Sequence, residues 1–400
     1  MTMAADKQDK VLNVPTLRFP EFTEEWAALS IEDCLIRLEN GANYDTNDVE
    51  GYPMSRIETI STSRIDYSKV GHSANLKNAE HYRMLYGDIL FSHINSVRHI
   101  GKTAYYEAEK PLYHGMNLLL LRCKSEIDSK YIYYILNSQK FLRKCQVLAK
   151  QAVNQASIST SDLRKIRLFV PQHVEQEKIA KFLSCIDNRI NTQIRIIKDL
   201  KSLSDAICER LYTPSEKGSW QTYKYADLFS ISNERNSKLQ YTNVLSASQE
   251  YGMIERNELN IDIKFEASSI TNYKIVRPNQ YVIHLRSFQG GFAYSEKTGV
   301  CSPAYTILVP TEKLSTAFLK YYFTSKRFID LLRIVTYGIR DGRSISVEEF
   351  LQLKVAIPDV ARQQHIVHVM QLWEEKIRTE ECYLFKLQQQ KKYLLSTMFI

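Results

Sequence analysis

The sequence has no long hydrophobic run, no paired cysteines and no apolar leader. Its longest aliphatic run is Leu118–Leu121, far below the ~20 residues that a membrane-spanning helix needs. It opens with the charged stretch MTMAADKQDK, which is unlike a secretory signal. Seven scattered cysteines without a C-x-x-C pair argue against a disulfide framework and against a zinc site. We therefore expect a cytoplasmic protein with reduced cysteines and no membrane partner.

The sequence also lacks the motifs of common enzymes. Its 13 glycines never form G-x-G-x-x-G, and neither H-E-x-x-H nor G-x-S-x-G occurs. Gly101-Lys102-Thr103 resembles the end of a phosphate-binding P-loop, but Ser96 stands where its first glycine belongs. His365 and His368 lack a third ligand at helical spacing. We predict no catalytic residue, no metal ligand and no cofactor in this chain, although triads built from distant residues leave no sequence signature and stay open.

What the chain does contain is an ordinary globular composition with a mild excess of basic residues. It has 400 residues, of which 44% are hydrophobic and 24% charged, and a formal net charge of +8. This length accommodates two or three domains, and the charge is compatible with nucleic acid as a partner.

An internal repeat organises the whole sequence. The segment Tyr131–Phe141 matches the later segment Phe318–Phe328 in its aromatic residues, its serine and its final Phe. The same offset places Ser157–Ser159 on Ser344–Ser346. It also places Val170-Pro171 on Ile357-Pro358. The chain is therefore interpreted as a duplicated unit.

Each unit has the same predicted order of parts. Short strand-like runs lead to a helix that Asp128-Ser129 caps in the first copy and Ser315-Thr316 in the second. A further strand ends at the Val-Pro or Ile-Pro pair, and a long segment without Gly or Pro follows, at 175–211 and 361–400. The predicted strands are Asp88–Phe91, Asn117–Arg122, Tyr281–Ile283 and Tyr305–Val309.

The two long segments carry a heptad pattern, which predicts helices that pair as an antiparallel coiled coil. The alternative is that each helix packs only on its own globular domain. The apolar seam positions of the first segment are Ile179, Leu183, Ile186, Ile190, Ile197, Leu200, Ile207 and Leu211. Those of the second are Ile366, Met370, Trp373, Ile377, Leu384, Leu387, Leu394 and Met398.

Basic and amide side chains in predicted loops are the candidate DNA contacts. Arginine reads guanine or phosphate, and Asn or Gln reads adenine. For each residue taken singly, an ordinary solvated surface position is the competing interpretation. The candidates are Arg98, His99, Lys102, Asn154, Gln155, Arg286, Arg340 and Arg343.

Several motifs together resemble the specificity subunits (HsdS) of type I restriction–modification systems. Val14–Phe22 followed by Trp26 is similar to their opening, and Gly87–Ser92 to their GDILFS strand. Gly101–Ala104 matches their G-K-x-A, and Glu175–Leu183 the start of their central helix. The second copy departs from the pattern, since Arg362–Ile366 keeps only the Gln and the Ile.

The resemblance implies a non-catalytic subunit of mixed α/β fold that reads bipartite double-stranded DNA. Two modification (methyltransferase) subunits would dock on it, with restriction (translocase/nuclease) subunits joining through them; S-adenosylmethionine, ATP and Mg²⁺ are implied only for those partners. We expect recognition domains at 1–170 and 220–357, spacer helices at 171–213 and 358–400, and a linker at 214–219. The alternatives are a stand-alone DNA-binding regulator, a self-sufficient nuclease or methyltransferase, and a coiled-coil scaffold.

Overall fold

The chain divides into two compact units that both include parts of the long helices. In the computed structural model the described residues are 13–45, 48–61, 63–96, 99–152, 155–214, 220–248, 251–256, 267–284, 291–337 and 344–400. The first unit comprises Met1–Ile194 with Tyr383–Ile400, and the second comprises Arg195–Cys382.

The first repeat is a mixed α/β domain that ends in a long helix. Its strands are β1 Ala27–Ser30, β2 Leu35–Asn40, β3 Tyr52–Met54, β4 Gly71–Ser73, β5 Ile89–Phe91, β6 Ile94–Asn95, β7 Thr103–Tyr105, β8 Leu119–Cys123, β9 Lys150–Ala152, β10 Gln155–Ser157 and β11 Arg167–Val170. Its helices are α1 Ile31–Cys34, α2 Ala79–Tyr82, α3 Ser129–Leu136, α4 Gln139–Leu148, α5 Thr160–Lys165 and α6 His173–Leu211.

The second repeat has the same order of parts. Its strands are β12 Gln221–Lys224, β13 Phe229–Ser232, β14 Leu245–Ser248, β15 Gly252–Glu255, β16 Lys274–Val276, β17 Tyr281–Ile283, β18 Phe292–Tyr294, β19 Gly299–Cys301, β20 Thr306–Pro310, β21 Thr336–Tyr337, β22 Ser344–Ile345 and β23 Lys354–Ile357. Its helices are α7 Tyr225–Leu228, α8 Phe318–Tyr322, α9 Lys326–Leu332, α10 Val347–Gln352 and α11 Val360–Thr397.

Each repeat is built around a four-stranded antiparallel sheet whose central strands are largely buried on both faces. The strand order is β2-β8-β5-β7 in the first repeat and β13-β20-β17-β18 in the second. Because side chains alternate across a strand, Leu119 and Leu121 enter the core shared with the helices. Leu118 and Leu120 enter a smaller core on the other face. Burial on both faces explains why the Leu118–Leu121 run has no polar interruption. The four predicted strands are confirmed, with small shifts at their ends.

The last strand of each domain returns to its first. Strand β11 pairs antiparallel with β1, and β23 pairs antiparallel with β12. The Val-Pro and Ile-Pro pairs follow at once, and the long helices α6 and α11 begin within three residues of each proline. The first strand of each domain therefore fixes where its long helix departs.

The predicted helix cap is present in the first repeat and absent in the second. Asp128 caps α3 by accepting the Tyr131 amide, as predicted. The matching prediction for Ser315-Thr316 is wrong. Helix α8 starts at Phe318 after Ala317, which has a left-handed backbone (φ 61°) and makes no side-chain cap. An extra residue in the left-handed region displaces the helix start, so Ser315 cannot reach the first free amides.

A buried glutamine ties each long helix to its own domain. Gln176 accepts the Asp128 amide through Oε1 (2.9 Å) and donates through Nε2 to the Pro171 carbonyl (2.9 Å). Gln363, its counterpart at the repeat offset, accepts the Ser315 amide (2.8 Å) and donates to the Pro358 carbonyl (2.9 Å). Both glutamines are nearly inaccessible to solvent. The same bridge at the same offset confirms the duplication.

The segment before β1 adds a second anchor in the first unit. Arg18 makes a bidentate ion pair with Glu175, with both N–O distances at 2.7 Å and the carboxylate almost fully buried. Phe19 packs edge-on against Phe182 of α6, and the Leu17 amide donates to the Thr397 carbonyl. The opening segment therefore holds the first turns of α6 and the last turn of α11 within one unit.

Within the first unit, α6 and α11 run antiparallel. Lys391 Nζ lies 2.6 Å from Asp187 Oδ1, and Arg189 Nη2 donates to the Tyr383 hydroxyl (2.6 Å), so the residue number rises on one helix as it falls on the other. The seam residues of this unit join the core of the first domain, with Leu384 packed at its edge. They are Ile179, Leu183, Ile186, Ile190, Leu387, Leu394 and Met398.

The second unit has the same arrangement. Lys201 Nζ lies 2.7 Å from Glu381 Oε1, and Cys208 shares the core of the second domain with Ile366 and Met370. Of the remaining seam residues in this unit, Ile197 is buried. The others are half-buried, namely Leu200, Ile207, Leu211, Trp373 and Ile377. The helices thus both pair with each other and complete the domain cores, which confirms the predicted mixed α/β architecture with antiparallel long helices.

We predict that the glutamine bridge contributes strongly to stability. Gln176→Ala should lower the free energy of unfolding of the first unit by about 2 kcal/mol, because it leaves a buried amide and a buried carbonyl without partners. Gln363→Ala should do the same in the second unit, whereas Gln388→Ala, at an exposed site, should change it by less than about 0.5 kcal/mol. Urea unfolding, with hydrogen exchange to assign the unit, tests this. Equal effects of all three substitutions would contradict it.

Candidate nucleic-acid interface

Only some of the candidate DNA contacts lie among the described residues. Arg98, Asn154, Arg286, Arg340 and Arg343 lie outside the described residues. His99 and Lys102 are described, as is the backbone of Gln155.

Residues 99–101, which follow β6, are held by backbone hydrogen bonds, and the His99 side chain is exposed. The amides of His99 and Ile100 donate to the Ser96 carbonyl (2.8 and 3.0 Å), and the Gly101 amide donates to the Ser92 carbonyl (2.9 Å). Ile100 is buried in the domain core. The loop therefore presents the His99 side chain to solvent from a fixed backbone.

Gly101 is required by the packing of this loop. Its φ is +83°, and a Cβ there would lie 3.2 Å from Leu142 Cδ2 and 3.3 Å from Cys145 Cβ on α4. A side chain would be strained in this left-handed backbone and crowded against the helix. The glycine of the G-K-x-A motif thus lets the loop lie directly on α4.

Lys102 ties the same loop to a neighbouring segment. Its ammonium donates to the Ser61 carbonyl (2.8 Å), and the side chain is half-buried. The Tyr133 hydroxyl donates to the Ser63 carbonyl (3.0 Å). Exposed Arg64 follows directly, a residue that the sequence analysis missed because no repeat or motif marks it. Lys102 therefore positions a second exposed basic residue beside the loop.

A small sheet brings the loop and the following hairpin together. The strand order is β6-β10-β9, with Asn95 opposite Ala156 and Ser157 opposite Ile94. The Ile158 amide also donates to the His93 carbonyl (2.9 Å). The structure thus places the segment of His99 and Lys102 next to the strand that begins at Gln155, although the two are far apart in sequence.

The second repeat has a hairpin in the corresponding place. Thr336 pairs with Ile345 and Tyr337 with Ser344, so that β21 and β22 flank the segment that contains Arg340 and Arg343. Ser346 then caps α10, as Ser159 caps α5 in the first repeat. A hairpin followed by a capped helix is common to the two domains.

Comparison with known proteins identifies the family. The model of the type I restriction modification DNA specificity domain matches residues 24–201 and 217–388, one match for each repeat and most of the chain. The chain belongs to this family. The resemblance seen in the sequence motifs is confirmed.

One curated relative of this specificity-domain protein is the putative type I restriction enzyme MjaX specificity subunit of Methanocaldococcus jannaschii. It is 42% identical over 198 residues, which is 48% of this chain and 47% of the relative. The match therefore spans about half the length of that relative.

Two solved structures share the fold of this specificity-domain protein. The S subunit of a type I restriction–modification system from M. genitalium aligns over 97% of this chain and 99% of its own, with a TM-score of 0.56 and 16% identity. A structure described as the basis of complex assembly and conformational transition of the type I R-M system aligns over 92% and 96%, with a TM-score of 0.58 and 11% identity. At such identities the likeness concerns the fold.

No cluster of metal-ligating side chains is found in the described part of this specificity-domain protein. All seven cysteines are free, and four of them are buried. Within the same residues, no helix has the length and hydropathy to cross a membrane.

Two buried histidines of the first specificity domain support the sheet beneath the loops. His93 and His114 are almost inaccessible, and among the described residues Nδ1 of each has no hydrogen-bond partner. Burial lowers the pKa of His93 and of His114 to about 4. Both are therefore neutral near pH 7 in the folded protein.

We predict that these histidines make the first domain sensitive to acid. An unfolded histidine has a pKa near 6.5, so the unfolded state binds protons first as pH falls, and stability is lost between about pH 6.5 and pH 4. The free energy of unfolding should drop by on the order of 1.2 kcal/mol per pH unit near pH 5.5 for each histidine, which is roughly 2.4 kcal/mol per pH unit for the two together. His93→Gln should reduce that slope, whereas His99→Gln, at an exposed site, should not. Parallel pH profiles for wild type and His93→Gln would contradict this.

Proposed function

We propose that this chain is the DNA sequence-specificity subunit of a type I restriction–modification complex. Each domain reads one half of a bipartite double-stranded DNA target, and the paired helices dock the modification subunits and, through them, the restriction subunits. The chain supplies recognition, while methylation and cleavage belong to the partners. The observation that carries this proposal is the family match to each repeat, with each long helix joined to its domain by the same buried glutamine.

We propose the following functional boundaries. Residues 1–170 and 220–357 are the two recognition domains, 171–213 and 358–400 the spacer helices, and 214–219 the linker between them. Because the two domains differ in sequence, the two half-sites differ as well. The gap between the half-sites is constant.

Adenine methylation mapping tests this function. Co-expressed with its modification subunit in a host without adenine methylation, the chain should produce one bipartite motif with a constant untouched gap. Replacing residues 27–170 by those of another family member, which leaves the Arg18–Glu175 pair in place, should change one half-site only.

Three outcomes would contradict the proposal. A change in both half-sites on replacement would exclude modular reading. DNA binding by the chain with no complex would favour the stand-alone regulator. Binding that does not weaken with added salt would favour a scaffold, since phosphate contacts weaken steeply with salt.

Exposed apolar residues on the long helices are the proposed docking contacts. In the second unit Leu203 and Leu372 are 49% and 53% exposed, and neither occupies a seam position. In the first unit Phe385 and Tyr393 are 57% and 61% exposed on α11. Large apolar side chains in such positions are typical of protein interfaces.

We predict that Leu203→Glu combined with Leu372→Glu weakens binding of a modification subunit at least tenfold. The unfolding free energy should change little, because both side chains are half-exposed. Ile231→Glu, at a 44% exposed site on β13, is the matched control and should leave assembly intact. Pull-down stoichiometry and titration calorimetry measure this. Normal assembly of the double variant would exclude docking on this face.

A further inference from the structure

The two repeats each expose one β-branched aliphatic side chain at the same position. Val147 is 85% exposed at the end of α4, and Ile334 is 67% exposed in the turn that follows α9. The offset of the repeat places one on the other. Residues 139–148 of α4 correspond to 326–335, which α9 and that turn occupy.

The exposure of these side chains follows from the way the helix packs. Phe141 and Cys145 point into the first core, and their counterparts Phe328 and Leu332 point into the second. Val147 lies one turn beyond Arg143, which is also exposed, on the face directed away from the core. Each segment therefore buries one face and presents a β-branched aliphatic residue outward, with Leu148 (39% exposed) beside Val147 in the first repeat.

The surrounding chain is strongly basic. Residues 129–161 contain five Lys or Arg and no Asp or Glu, and the equivalent residues 316–348 contain six against three. One of those three carboxylates, Asp330, pairs with Arg333 at 3.3 Å. Segments with such an excess of positive charge attract a polyanion such as DNA.

Both side chains also adjoin the candidate nucleic-acid interface. Strand β9 begins three residues after Val147, and β21 begins two residues after Ile334. Each is thus the aliphatic residue at the base of the hairpin that carries candidate DNA contacts. In the major groove of DNA, the apolar group displayed on base edges is the methyl group of thymine.

We propose that Val147 and Ile334 each contact a thymine methyl group, Val147 in the half-site read by the first domain and Ile334 in that read by the second. This inference rests on the proposed function and adds to it a required A·T pair in each half-site. The contact reads a base through its methyl group and is independent of the phosphate charge.

Thymine-to-uracil replacement tests the proposal, because it removes the methyl group and leaves base pairing unchanged. The purified complex of the chain with its modification subunit is titrated with synthetic target duplexes that carry one such replacement at a time. Replacement at one position in each half-site should weaken binding roughly fourfold, because a buried group of about the size of one methyl is lost. Val147→Ala should remove this sensitivity in one half-site and Ile334→Ala in the other.

Two matched variants serve as controls. Val49→Ala changes an equally exposed valine (82%) that lies between Asp48 and Glu50, and it should leave uracil sensitivity unchanged. Arg143→Ala should lower the slope of log affinity against log salt by about one, whereas Val147→Ala should lower affinity without changing that slope.

The outcomes separate this inference from the proposed function. Absence of any methylated motif would overturn both. If the wild-type complex selects its target but its affinity is unchanged by every thymine-to-uracil replacement, the inference alone is overturned. A half-site without a required A·T pair would have the same consequence. Loss of modification-subunit binding in Val147→Ala would assign this surface to protein docking and also overturn it.

Discussion

The buried glutamine at the start of each long helix is the constraint on which the arrangement of this protein depends. Gln176 and Gln363 satisfy a carbonyl at the end of the last strand and an amide at the start of a domain helix or of the turn before it. Within each unit, these hydrogen bonds of a buried side chain set the direction in which the long helix leaves its domain, and leaving a buried group unpaired costs about 1–3 kcal/mol.

In both units a carboxylate on a long helix accepts a tyrosine hydroxyl and pairs with a cation, but the cation differs. In the first unit Asp187 accepts the Tyr134 hydroxyl and pairs with Lys391 of α11. In the second unit Glu374 accepts the Tyr321 hydroxyl and pairs with two cations, Lys320 in the domain and Arg378 on its own helix. The carboxylate and the tyrosine keep their places in the repeat, whereas the lysine of the other long helix is replaced by these two cations. Divergence after duplication has changed the source of the charge and kept the neutralised carboxylate.

Local and periodic features could be predicted from the sequence, and contacts between distant segments could not. The constant offset between the repeats located the strands and the long helices, and it places Gln363 opposite Gln176. The wrong cap at Ser315 depends on one left-handed residue, Ala317, which has no sequence signature. The bond from Lys102 to the Ser61 carbonyl joins segments that are distant in sequence, and Ser61 belongs to no motif. Among the described candidate DNA contacts, the main new finding is that Lys102 positions a neighbouring segment through the Ser61 carbonyl.

The first unit draws its core from both ends of the described chain, since Met398 and Phe399 are buried with residues of the first domain. This has a consequence for biosynthesis. The second unit, Arg195–Cys382, has all its residues while translation still continues. The first domain leaves the ribosome earlier, but its core is complete only when residues 383–400 have been synthesised. Until then, part of the apolar surface of that core is uncovered. The half of the protein that is synthesised first is therefore the half that is finished last.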